Sequence, residues 1–177
     1  MNKPEFSRLI AVEGITPDKT RHETIAATEE ECAALAERLG LRELASLSAE
    51  LDIRRVAGGD TIRLAGTLKA DLVQGCVVSL QDVPARIEAS FETFFSENAP
   101  SDDEIEFSFE EDEAIAEQII NGMIDLGEVV AQYLSLEIDP YPRAPGVSLA
   151  AQMAESGLEV KANPFQVLEK LKDDGAE

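Results

Sequence analysis

A chain of 177 residues with 44% apolar side chains can build one domain around a real core. No run approaches the roughly 18 apolar residues of a membrane helix, and Leu9 to Val12 is too short an apolar run for a secretion signal. Two distant cysteines argue against a disulfide scaffold and for a reduced, cytoplasmic protein, while a net charge of −21, concentrated in one acidic region, argues against direct binding of bare nucleic acid through that region.

In chain order, "FSRLIAV" near the N-terminus reads as a strand. "GITPDKT" lacks the glycine spacing of a phosphate loop. His22, the single histidine, lies in a mixed polar segment of the kind that is usually exposed, with no nucleophile-elbow glycines beside Thr24. "TEEECAALAERLG" predicts a helix: Thr28 and Glu31 are spaced as a capping box, Cys32, Leu35 and Leu39 share a side, and Gly40 suits the C-terminal cap.

Three period-2 segments follow. In "LSAELDIRRV", Leu47, Ala49, Leu51 and Ile53 face one way; in "TIRLAGTLKADL", Ile62, Leu64, Leu68, Ala70 and Leu72 do the same. Gly58 and Gly59 between them accept positive φ and predict a hairpin. "VPARIEASFETF" places Val83, Ala85, Ile87, Ala89 and Phe91 on one face, with Pro84 suited to a strand start or an edge. The expected fold class is α+β: an antiparallel β-sheet, able to curl towards a partial barrel, covered by two or three helices. One domain spans 1–177.

Cys76, in "QGCVVSLQDV", falls between two of these strands. A zinc site needs four ligands, usually with paired cysteines; Ser79 stands where a second cysteine would be, so a buried thiol at a turn is expected and a metal site is not.

Beyond the third strand the charge becomes one-sided. Residues 1–86 carry 11 Lys/Arg against 14 Asp/Glu, and residues 143–177 carry 4 against 6, whereas residues 87–142 carry 16 acids and no base. The acids concentrate in a segment at about 97–113, expected to be flexible, with Glu97, Asp102, Asp103, Glu104, Glu106, Glu110, Glu111, Asp112 and Glu113 as candidate contacts for a basic partner. Ile105, Phe107 and Phe109 alternate with acids, so part of it could be a strand; solvation and protection against sheet pairing would explain the same composition. The order of a calcium-binding loop is missing. The chain has no Trp and two Tyr, which leaves little for a sugar to stack against in carboxylate-pair chemistry. No catalytic residue and no cofactor is expected.

"DLGEVVAQYLSLEID" predicts a second helix, with Asp125 and Glu128 spaced as another capping box and Leu126, Val129, Val130, Tyr133, Leu134 and Ile138 as its apolar stripe. Pro140 ends it. Residues 143–163 read as an exposed connection, and "NPFQVLEKLK" as a short terminal helix.

Taken together, "GTLKADLVQGCVVSLQDVPARIEASFETFF", "IDLGEVVAQYLSLEIDPYPRAPG" and "NPFQVLEKLK" resemble the YceD family of large ribosomal RNA subunit accumulation proteins. The second segment is similar to the family's helix opened by Asp125-Leu126 and closed by Pro140 and Pro142. The resemblance implies a bacterial cytoplasmic factor in synthesis, processing or stability of 23S ribosomal RNA, whose gene often neighbours that of a small basic zinc-ribbon ribosomal protein. Many members carry Cys-x-x-Cys where this chain has Cys76-Val77-Val78-Ser79, so a metal or redox role is not inherited. The resemblance supplies no catalytic residues. The expected partner is a basic ribosomal protein or a pre-ribosomal particle, engaged without a membrane; an accessory subunit of an RNA-maturation or quality-control enzyme, docking through an apolar sheet face, is the alternative.

Overall fold

The structure is a computed structural model that describes residues 4–56, 59–99 and 116–147. Its elements are β1 (Leu9–Ala11), β2 (Arg21–Ala26), α1 (Glu29–Leu39), β3 (Glu43–Arg55), β4 (Ile62–Gly75), β5 (Asp82–Ser96), β6 (Glu117–Gln118), β7 (Met123–Asp125) and α2 (Leu126–Glu137). Five strands form one sheet in the order β2-β3-β4-β5-β6, and β1 pairs with β7 in a separate ribbon.

The central strands follow from alternation. Antiparallel pairing sets Leu47 beside Ala70 and Ala70 beside Ile87, and sets Ile53 beside Leu64, so apolar rows run across the sheet. The β3 and β4 members of these rows are buried. A register shift between Leu44 and Ser46 leaves Ala45 as an extra residue, and this bulge lets Leu44 and Leu47 both point inward at odd spacing. The expected β3–β4 hairpin is present, closed by Val56 N–H donating to the Thr61 carbonyl at 2.8 Å, with Gly58 outside the described residues.

Helix α1 packs across β3 and α2 across β4 and β5. The capping box of α1 is complete: Glu31 N–H donates to Thr28 Oγ1 at 3.3 Å and Thr28 N–H to Glu31 Oε2 at 2.8 Å. Gly40, at φ 66°, closes the helix in the left-handed region. At α2 only half of the expected box forms. Asp125 caps the helix, but the Glu128 carboxylate turns to Arg38, which donates to both of its oxygens at 2.7 and 2.8 Å. A bidentate guanidinium outcompetes a single backbone N–H for the carboxylate.

The fold class is the expected α+β, and the sheet does not close into a barrel, with β2 and β6 at its ends. One expectation needs correction. The N-terminal strand shortens to Leu9–Ala11 and pairs with β7 outside the main sheet, while Phe6, Ile10 and Val12 enter the core. His22 is exposed, as its polar surroundings suggested, and lies on β2, a strand that the sequence reading did not anticipate and that pairs with β3. Its apolar signal is weak because only Ile25 is buried. The expected terminal helix and residues 148–163 of the connection lie outside the described residues.

Candidate partner-binding site

Of the nine carboxylates singled out in the sequence, Glu97 is described; it sits exposed just beyond β5. The other eight lie outside the described residues. The structure places both flanks of their segment. Strand β6 runs parallel to β5, pairing Phe95 with Glu117 and Ser96 with Gln118, and Ile119 N–H donates to the Ser96 carbonyl at 3.1 Å. The chain therefore leaves the sheet at Ser96 and is back beside the same residue by Glu117. Thr93 Oγ1 donates to Glu117 Oε1 at 3.1 Å, and Asn98 Nδ2 donates to Asp60 Oδ2 at 3.3 Å, which sets this point beside the β3–β4 hairpin.

Seven of the scaffold's described cations pair with scaffold carboxylates. Arg8 binds Glu31 at 2.7 Å, Arg38 binds Glu128 and Glu5, Arg42 binds Asp82 at 2.9 Å, and Lys69 binds Glu88 at 3.2 Å. Arg86 binds Asp71 at 2.7 Å, Arg21 binds Glu23 at 2.6 Å, and Arg63 pairs with Glu92. The Arg8 hydrogen bond, reinforced by Thr28 and opposed by burial, holds the Glu31 carboxyl down to about 2. Arg38 likewise lowers Glu128. Such pairs between partly exposed groups contribute little stability each. Their consequence here is that seven described cations of the scaffold are already engaged by scaffold carboxylates.

The Asp125-Leu126 motif is structural. Asp125 Oδ1 accepts from Gly127 and Glu128 N–H, which caps α2, and also from Arg8 N–H at 2.7 Å; Oδ2 accepts from Ser7 Oγ at 2.6 Å. Leu126 is buried, and its N–H donates to the Arg8 carbonyl at 3.0 Å. At Gly127 a Cβ would stand 2.5 Å from the Phe6 carbonyl oxygen, so glycine is what lets the N-terminal strand cross the start of the helix.

Cys76 is a fully buried free thiol at the turn between β4 and β5. Hydrogen bonds from the Ser79 hydroxyl and N–H and from the Ala144 N–H lower it to about 6; burial pulls the other way, and Val78 N–H adds a smaller lowering. Ser79 N lies 3.3 Å from Sγ. The buried Pro142 accepts from Val77 N–H at 2.9 Å, which ties the segment after α2 to the turn, whereas Pro140 is exposed and only ends the helix. This turn and the exit of the acidic segment stand at opposite ends of the 15-residue β5, roughly 45 Å apart at about 3.3 Å per residue.

Two features of the site escaped sequence reasoning. The end of β5 meets Glu117 and Gln118 through a two-residue parallel pairing too short for periodicity to reveal. The turn before β7 was signalled by Asn121-Gly122, whose φ values of 54° and 67° with the Met123 N–H to Ile120 carbonyl bond of 3.0 Å make a tight hairpin turn.

These features define an open, helix-covered α+β sheet protein from which an acidic segment leaves and returns at one point. Residues 64–172, well over half of the chain, match the family model described as large ribosomal RNA subunit accumulation protein YceD, and the chain belongs to that family. No curated protein and no solved structure matches it. Membership places the chain among proteins of large-subunit ribosomal RNA accumulation, that is, of ribosome biogenesis, a family named for an RNA and not for a reaction. Among the described residues no helix is long and apolar enough to cross a membrane.

Proposed function

We propose that the protein is a non-enzymatic ribosome-assembly factor that supports synthesis, processing or stability of 23S ribosomal RNA by holding a basic ribosomal protein or a pre-ribosomal particle on its acidic segment. The observation that carries this reading is the stretch 87–142, with 16 acids and no base, whose acidic segment is flanked by the β5–β6 pairing on a scaffold where six described arginines bind scaffold carboxylates. Exposed charge of one sign attracts a basic partner over distances of about the 8 Å screening length at physiological salt, which makes association fast and salt-sensitive. Docking of an RNA-maturation enzyme through an apolar sheet face is less favoured, because α1 and α2 already cover that face of β3 and β4.

The test replaces Asp102, Asp103, Glu104, Glu110, Glu111, Asp112 and Glu113 with their amides. Capture of basic ribosomal proteins or assembly particles from lysate should weaken, high salt should release them from the wild type, and large-subunit profiles should fall. Unchanged capture and unchanged profiles refute the reading.

A further inference from the structure

Beside the point where the acidic segment rejoins the sheet lies a groove of about 370 Å³ between the β1–β7 ribbon, β6 and α2. Its lips are Leu9 and Ile120, large aliphatic side chains exposed by 61% and 66%. Its floor is the buried Phe95, Ile124 and Val129. The tight Asn121-Gly122 turn holds Ile120 in place, and the pairing of Leu9 with Asp125 fixes the other lip to the start of α2. Both lips therefore stand on rigid backbone, which spares a ligand the ordering cost of a loop.

The charge that lines this apolar floor is acidic. Glu117 and Asp125 line the groove and form no salt bridge among the described residues, Glu128 lines it paired with Arg38 from α1, no lysine or arginine lines it, and every lining residue except Leu9 comes from the cation-free stretch 87–142. Glu117 belongs both to the groove wall and to the point where the chain rejoins the sheet after the acidic segment. An apolar slot with an anionic rim suits a cationic polypeptide that carries one apolar side chain, since charge steers such a ligand while burial of the apolar group holds it.

We propose that this groove is the apolar anchor site for the basic partner: a lysine- or arginine-rich segment inserts a single aliphatic or aromatic side chain between Leu9 and Ile120. The inference rests on the reading of the acidic segment as a docking surface and adds where, and by what chemistry, the partner is held. It also separates two contributions. The acidic segment sets the salt dependence of binding, and the groove sets selectivity for a cationic segment with an apolar residue.

Two synthetic lysine-rich peptides test it, alike except for a central tryptophan in one and alanine in the other, titrated by fluorescence anisotropy against the full chain at low and high salt. The wild type should prefer the tryptophan peptide by about tenfold, the scale of one well-buried side chain. Leu9→Ser combined with Ile120→Ser should abolish that preference and leave the salt dependence intact; because both side chains are exposed, the melting temperature should not move. Equal affinity of the wild type for the two peptides, or a preference that survives the double substitution, overturns the inference. So does a wild-type dimer that the same substitutions dissociate, which would assign the groove to a second copy. The amide-substituted acidic segment distinguishes the two levels. Loss of overall affinity with the preference retained supports both readings; full affinity with the preference retained refutes the acidic docking surface and leaves the groove standing. Failure of both peptides to bind the wild type at low salt refutes both.

Discussion

Tyr133 of α2 lies flat on Phe91 of β5, with ring centroids 4.3 Å apart and planes 16° from parallel, and its hydroxyl donates to the Glu92 carbonyl at 3.2 Å. Phe91 in turn stands across from Gly66 in the middle of β4. The gap that Gly66 leaves in the apolar alternation is thus filled from the neighbouring strand, and the filled position becomes the seat of the helix. A Cβ at residue 66 would meet Leu51 Cδ2 at 2.5 Å and the Glu50 carbonyl oxygen at 2.8 Å. The side chain can yield but the backbone cannot. Gly66→Ala should therefore destabilise by about 1–3 kcal/mol in urea unfolding, the range of overpacked cores. Tyr133→Ala should cost about 2 kcal/mol through the lost stack and burial, with Tyr133→Phe close to the wild type.

Asp125 joins two parts of the molecule that are 117 residues apart, and one carboxylate does both tasks. Asp125→Ala should cost about 2–3 kcal/mol from the cap and the lost bonds to Ser7 and Arg8. Amide hydrogen exchange should quicken at Arg8 and at Gly127 together. Asp125→Asn keeps an acceptor at Oδ1 and should restore most of the loss. If exchange quickened at Gly127 alone, the tie to the N-terminal strand would be refuted.

The Glu31 carboxyl is lowered from 4.5 to about 2 in the folded protein by its bond from Arg8. A depressed carboxyl stabilises the fold above its unfolded value and loses that contribution as pH falls through the folded one. The stability difference between the wild type and Glu31→Gln should be constant near neutral pH and shrink from about pH 4.5 to about pH 2. A difference that stayed constant across that window would mean the bond is not formed in solution.

Cys76 follows the same rule at higher pH. Its thiol is lowered from 9.0 to about 6, first by the Ser79 hydroxyl and N–H and then by Ala144 N–H, so the wild type should gain stability over Cys76→Ala as pH rises from about 6 to 9. Ultraviolet titration of the thiolate should show the low transition in the wild type and a higher one in Ser79→Ala. A thiol that titrates near 9 would remove Cys76 as a tie between the turn and residues 142–144.

Much of this architecture was legible because its determinants are local. Leu47 to Ile53 and Ile62 to Leu72 announce strands through the pleat itself, since only every second side chain can reach the core. Thr28 with Glu31 announces a helix start because both partners lie within one turn, and it formed as expected. The same spacing at Asp125 and Glu128 misled, because Arg38, 90 residues away, offered Glu128 a better donor. The position of the carboxylates within the segment, and the lack of any cation among them, needed no structure at all.

What the amino-acid order settled alone is therefore periodicity, capping and the sign of the charge, which depend on residues a few positions apart. Only the tertiary structure decided that Leu9 pairs beside Asp125, that Phe95 pairs with Glu117, and that a groove opens beside them. Those contacts join residues 22 and 116 positions apart. Each was won in competition for burial and for hydrogen-bond partners across the whole chain, and such competition leaves no mark in any short window of sequence.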